Sequence, residues 1–267
     1  MALGHRYGLF RLSLAGLALL TPAMPAAYAA QPAKPAISQE AGSALLRMGK
    51  TLLSKEYSFE VRTIRVYKDS SGRPLHIFHT LDVLVRRPDR LRVTAIGDDG
   101  TRKLFYNGKS IALYGAEKNK YAVEAAPETI AAMLRQVMGR LQVNFPLADF
   151  LTDAPNKGFL TGAASGREVD TVTIEGAPYR HLFFSQPPGI DLELWVDKSE
   201  QALPRRLILT YRSLPGQPSF IAEFAKWDFS VHPSDADFEF TPPEGAAKVA
   251  LTAPAGAAPA RSGSSNR

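Results

Sequence analysis

The chain has 267 residues, a formal charge of +6 and no cysteine, and its length suits one large domain or two small ones. Without cysteine there can be no disulfide, no thiolate metal site and no lipidated cysteine, so the core alone must hold the fold. The basic excess is mild and spread along the chain. It permits weak attraction to anionic lipid headgroups but lacks the clustered face of a nucleic-acid binder.

At the start, His5, Arg6 and Arg11 form a positive region, residues 12–20 are a short apolar run, and Ala27-Tyr28-Ala29 offers small residues for cleavage. This pattern predicts an export signal cleaved after Ala29, because the apolar run is about half the roughly 20 residues of a spanning helix. Removing Arg6 and Arg11, with no acidic residue, takes the charge from +6 to +4. The expected mature protein is soluble and periplasmic. Residues 30–37 read as a Pro/Ala linker, 38–246 as the folded domain, and 247–267 as an Ala/Pro/Ser/Gly tail expected to be disordered.

Ser38 reads as an N-cap for a helix whose apolar residues Ala41, Leu45, Met48 and Leu52 recur at helical spacing. Strand patterns follow. Phe59, Val61 and Thr63 alternate with charged residues, 69–72 reads as a turn, and Leu81, Val83 and Val85 alternate again before Arg86-Arg87-Pro88-Asp89 breaks the run. Leu91, Val93 and Ala95 form the next strand, Asp98-Asp99-Gly100 a turn, and Asn107-Gly108 the centre of a type I′ hairpin that returns through Ile111 and Leu113. Near Pro127 the period changes to three and four, and Ile130, Met133, Leu134, Val137, Met138 and Leu141 predict an amphipathic helix. A helical turn is expected over 146–151 and a flexible stretch over 158–166. Strands then recur over 172–174, 179–184, 190–196, 207–211 and 220–229, separated by Gly and Pro. One dry and one wet face per strand imply an antiparallel meander. About ten such strands would curl, and the helix inserted midway could cover the concave side.

Catalytic and metal chemistry find little support. His76 and His79 point to opposite faces of a strand, and His181 and His232 stand apart in sequence from any ligand set. Ser165 and Ser185 lack a nucleophile-elbow setting, Asp98 and Asp99 are expected to bond the backbone of their own turn, and no glycine-rich phosphate loop occurs. No cofactor is implied, and Arg86 and Arg87 read as a solvated rim unless their place between two apolar strands gives them another role.

The segments "VRRPDRLRV" (85–93), "DDGTRKLFYNGKSIALYGAEKNKYAV" (98–123), "LELWVDKSEQALPRRLILTY" (192–211) and "FEFTPPEGA" (238–246) resemble, in order, motifs of the LolA-type periplasmic lipoprotein carriers. A predicted periplasmic family of that superfamily is similar also in the block from "YAVEAAPETI" to "FPLADFL", and the resemblance spans most of 38–246. It implies a mainly β, α+β fold: a strongly curved, half-open antiparallel barrel with a helical lid over a cavity for acyl chains. Arg87 matches an arginine that holds the lid by hydrogen bonds, and Phe238 and Phe240 would be core-facing residues of a last strand ended by Pro242-Pro243. The tryptophan that carriers often have after the Asp-Gly hairpin is replaced here by the run Ile111-Ala112-Leu113. On this reading Leu81, Val83, Val85 and Leu91 line the sheet side of the cavity, and Ile130, Met133, Leu134 and Val137 the lid side. The implied role is to bind or carry lipid or lipoprotein acyl chains, with a membrane-associated partner and no nucleic acid. The alternative is a sensing or regulatory protein-interaction module, since RseB-type regulators resemble the same superfamily.

Overall fold

The computed structural model describes residues 36–141 and 145–251. The expected export signal, most of the linker and most of the tail lie outside the described residues.

Helix α1 (Gln39–Leu52) starts where its sequence predicts: the Ser38 hydroxyl accepts the Ala41 amide, and Ala41, Ala44, Leu45, Met48 and Leu52 form one buried stripe. Six strands follow as a meander, β1 (Glu56–Lys68), β2 (Pro74–Arg86), β3 (Arg90–Gly97), β4 (Gly100–Tyr106), β5 (Ser110–Gly115) and β6 (Lys120–Ala125). Helices α2 (Ile130–Leu141), α3 (Ala148–Leu151) and α4 (Pro155–Leu160) then lead to a second meander, β7 (Ser165–Ile174), β8 (Ala177–Gln186), β9 (Ile190–Asp197), β10 (Pro204–Tyr211) and β11 (Ser219–Asp228). A 3-10 turn (Asp235–Phe238) and a two-residue strand β12 (Ala247–Lys248) complete the described chain.

All twelve strands belong to one sheet, in the order β12-β6-β5-β4-β3-β2-β1-β11-β10-β9-β8-β7. The two meanders are joined where β1 pairs antiparallel with β11, and β7 and β12 remain as unclosed edges. The inward residues of nearly every strand, from Ile111 on β5 to Phe184 on β8, join α1–α4 in a single core. A sheet whose distant strands share one core must curl around it, and this is the curved, half-open sheet that the resemblance implies. Against the β7–β11 half the short helices pack by aromatic contacts: Phe150 of α3 lies 4.7 Å from Phe159 of α4 and 4.9 Å from Phe224 of β11, ring to ring.

Several local expectations need correction. In the turn between β4 and β5 only Gly108 has a positive φ, +83°, so the turn is not type I′, which needs two. Asn107 contributes instead through its side chain, whose Oδ1 accepts the amides of Lys109 and Ser110 at 3.1 and 2.9 Å. The stretch 158–166, expected to be flexible, holds the end of α4 and the start of β7. Gly166 is there because the Phe184 ring lies where its Cβ would stand, 2.4 Å away.

Phe238 and Phe240 are not strand residues and do not face the core. Phe238 ends the 3-10 turn, buried under the guanidinium of Arg86 at 5.3 Å, while Phe240 rests on the rings of Phe105, Tyr114 and Tyr121. Arg92 and Phe105 alternate with the core residues Leu91 and Tyr106, so these contacts lie on the outer face of the sheet. Segment 230–246 is therefore a strap across the outside. Arg86, expected to be a solvated rim residue, secures it by donating to the Pro233 carbonyl at 2.9 Å and to the Asp235 carboxylate. That carboxyl is held below its ordinary value by the Arg86 hydrogen bond and charge. Removing the buried ring by Phe238→Ala is expected to cost about 3 kcal/mol of stability, read as a lower urea midpoint at unchanged slope. A loss below about 1 kcal/mol would mean that the strap is not part of the cooperative fold.

The chain also continues in order past Ala246. Ala247 and Lys248 pair in parallel with Lys120 and Tyr121 of β6, and Leu251 packs against the core. The first residues of the expected tail thus extend the sheet by a strand.

Candidate functional site

An apolar cavity of about 630 Å³ lies between the inner face of β2–β6 and helix α2. Its volume falls within the roughly 300–1,000 Å³ of small-molecule sites. The sheet side is made by Leu81, Val93, Ala95, Leu104, Leu113 and Ala122, and the helical side by Leu134, Val137, Met138, Leu141 and Phe145. Two other clefts, of about 550 and 530 Å³, are bordered by charged residues such as Glu60, Lys226 and Arg62 or Arg92. They lack the continuous hydrocarbon wall of the first.

The cavity has a closed end and an open end. Toward the start of α2 the burial becomes complete, with Leu91, Tyr106, Ile111 and Ile130 forming a packed floor. Toward the end of α2 the same strands carry half-buried Ala95, Leu104 and Leu113 and then reach Arg102, Gly115, Lys118 and Lys120 at the mouth. Val249, Ala250 and Leu251 border it after β12.

This gradient sorts the eight residues expected to line the cavity. Leu81, Leu134 and Val137 do line it, whereas Val83, Val85, Leu91, Ile130 and Met133 are packed core beside or beneath it. Period-two alternation places a side chain on the inner face but not its depth along the strand, so floor and wall look alike in sequence. Leu104, Leu113 and Ala122 follow from Val93 by register. Val93 pairs with Leu104, Leu104 with Leu113 and Leu113 with Ala122, a row across four strands that alternation within any one of them does not reveal. Val249 and Leu251 carry no such signal, standing in an alanine-rich stretch.

Helix α2 is fastened at its first turn. The Ile130 amide donates to the Pro88 carbonyl at 2.9 Å, the Thr129 hydroxyl accepts the Ala132 amide at 3.2 Å, and the Tyr106 hydroxyl donates to the Pro127 carbonyl. The first two bonds satisfy amides that a helix start leaves without internal partners. Burial, then the charge of Asp89, pushes the Tyr106 phenol up to about 12, so it stays a neutral donor at physiological pH. Near its other end α2 is tied by the exposed pair of Arg140 with Glu124, a weaker attachment in water.

Arg87 serves different helices from the lid helix over the cavity. Its guanidinium donates to the carbonyls of Leu52 at 3.0 Å, Leu151 at 3.1 Å and Phe150 at 3.4 Å, and to the Tyr57 hydroxyl at 3.2 Å. Leu52 ends α1, and Phe150 and Leu151 end α3, so one cation meets the negative ends of two helices. Burial raises the Tyr57 phenol, and the Arg87 charge offsets part of that rise.

Three of the four histidine candidates are engaged with carboxylates. His79 shares a 2.6 Å hydrogen bond with Asp99, His181 lies between Glu193 at 2.9 Å and Asp170 at 3.4 Å, and His232 is 3.1 Å from Glu56. Asp98 and Asp99 do not simply serve their own turn as expected: Asp98 accepts the Phe78 amide across the β2–β3 pair, and Asp99 bridges His79 and Arg102. Among the described residues no group of three or more histidines and carboxylates is placed to hold a metal ion, and the cavity lining contains no histidine, serine or carboxylate. No described helix is long and apolar enough to cross a membrane.

No curated protein matches this chain. Among solved structures it is similar to an uncharacterised conserved protein from Thermus thermophilus, with 11% identity and a TM-score of 0.47 over 78% of this chain and 98% of that one. Lipoprotein LppX of Mycobacterium tuberculosis is similar at 14% identity and a TM-score of 0.44, over 73% of this chain and 99% of that one. A LolA superfamily protein from Nitrosomonas europaea is similar at 10% identity and a TM-score of 0.38, over 75% and 98%. Residues 41–252 match the family described as predicted periplasmic protein, DUF2092, and the chain belongs to that family.

Proposed function

We propose that this protein binds the hydrocarbon chain of a lipid or of an acylated protein in the cavity under α2, in the periplasm. The observation that carries the reading is the cavity itself, a hydrocarbon-walled slot of about 630 Å³ between α2 and the inner face of the sheet. A fully packed interior would have no such use.

Transfer from water into the slot would gain about 0.8 kcal/mol per methylene. Transfer from a bilayer would gain almost nothing, because lipid tails are already as apolar as leucine. A chain taken from a membrane is therefore held near balance, and modest changes at the less firmly tied end of α2 suffice to favour loading or release. This suits carriage better than storage. The lining offers no nucleophile paired with a base, which favours binding over turnover.

The test is titration with Nile red, an uncharged dye whose emission shifts to the blue in apolar surroundings. One saturable site, with the dye displaced by a long-chain alcohol, is the expected result. Emission unchanged from that in buffer would overturn the reading.

A further inference from the structure

We infer that the cavity selects amphiphiles with an anionic headgroup, the charged group resting at Lys118, Lys120 and Arg102 while the tail occupies the slot. The inference rests on the chain-binding reading and adds the class of ligand to it.

Three observations converge on the mouth. Lys120 opens β6 two residues before Ala122, and Arg102 stands two residues before Leu104 on β4, so strand alternation puts both on the inner, cavity face. Lys118 sits in the β5–β6 turn beside them and also borders the cavity. Secondly, among the described residues the lining includes no aspartate or glutamate, and Asp99 reaches Arg102 from outside it. Among the described residues Lys118 and Lys120 have no carboxylate partner. Of the acidic side chains at this end, Asp99 pairs with Arg102 at 2.9 Å and with His79, and Glu117 accepts the Thr101 amide at 2.7 Å, so the two lysines carry the uncompensated charge.

The third observation is the direction of the burial gradient. Leu91, Tyr106 and Ile130 are packed at one end and the cations stand at the other, so a chain with its tail toward the packed end brings its head to the cations. Lysine stems can cover the upper part of the tail while the ammonium groups stay in water at the headgroup. A cationic headgroup would meet like charge there, and a neutral one would leave the ammonium groups unused.

The test compares dodecanoate, 1-dodecanol and dodecyltrimethylammonium, one chain length with three headgroups, by calorimetric titration below their aggregation limits, with inorganic phosphate as a chain-free anion. Each exposed charge contributes modestly, so dodecanoate should bind about tenfold more tightly than dodecanol and the cation most weakly. That preference should shrink at high salt and disappear in Lys118→Glu/Lys120→Glu, whose melting temperature verifies folding; Lys118→Ser/Lys120→Ser should lose part of it. Equal affinity for dodecanoate and dodecanol would overturn the headgroup inference and leave chain binding standing. No binding of any of the three chains would overturn both. Inorganic phosphate binding as tightly as dodecanoate would replace the amphiphile with a free-anion site.

Discussion

Arg87→Leu is expected to lower the free energy of unfolding by about 3 kcal/mol, because it leaves buried carbonyls at the ends of two helices without donors. The leucine cannot supply any of the bonds to Leu52, Phe150, Leu151 or Tyr57. Arg87→Lys should recover only part of the loss, since one ammonium cannot reproduce a planar fork aimed at several acceptors. Urea unfolding measures both changes. The domain should still fold, and retention of Nile red should fall less than stability does, because α2 is fastened through Pro88 and Tyr106 rather than through Arg87. Near-neutral stability of Arg87→Leu would show that the helix ends find other donors.

The second large effect is on binding. Ala95 and Ala122 project from β3 and β6 into the cavity, and Ala95→Phe/Ala122→Trp would put two aromatic rings in the space a chain needs. Added side chains normally strain a packed core by about 1–3 kcal/mol. Here they enter existing volume, so stability should stay within about 1 kcal/mol of wild type. Affinity for dodecanol should fall at least tenfold, a loss of about 1.4 kcal/mol or more. If the pair instead destabilised the fold like an overpacked core and left binding intact, the slot would not be where the chain goes.

Much of the architecture was legible in the sequence because it depends on periodicity. Phe59-Val61-Thr63 and Leu81-Val83-Val85 declare their inner faces by alternation, and Ile130 to Leu141 declares its stripe by spacing. What alternation does not encode is which side of a sheet a non-repeating segment crosses. Phe238 and Phe240 look like one more strand because they are two apart, yet the chain between Asp235 and Phe240 turns and then lies over Phe105 and Tyr121 on the outside. Arg86 and Arg87 illustrate the same limit. Neighbours on a strand face opposite ways, so Arg86 clamps the outer strap and Arg87 the inner helices, and a solvated pair of charges would read identically.

Depth was the other missing coordinate. Leu91 and Ala95 share a face of β3, but Leu91 is sealed into the floor while Ala95 borders the cavity. The difference depends on how far α2 reaches along the strand, which is set by its anchoring at Pro88 and Tyr106. Likewise, Val249 to Leu251 border the mouth only because Ala247 and Lys248 pair with β6, a long-range contact with no local signature.

The central claim is that the hollow beneath α2 holds a hydrocarbon chain, and native mass spectrometry of the protein purified from its own cell envelope tests it most directly. The account predicts a stoichiometric lipid-sized adduct on the wild type, released by organic solvent and missing from Ala95→Phe/Ala122→Trp. A bare wild-type mass that stays bare after incubation with lipid vesicles, or an adduct that persists in the filled variant, would contradict it.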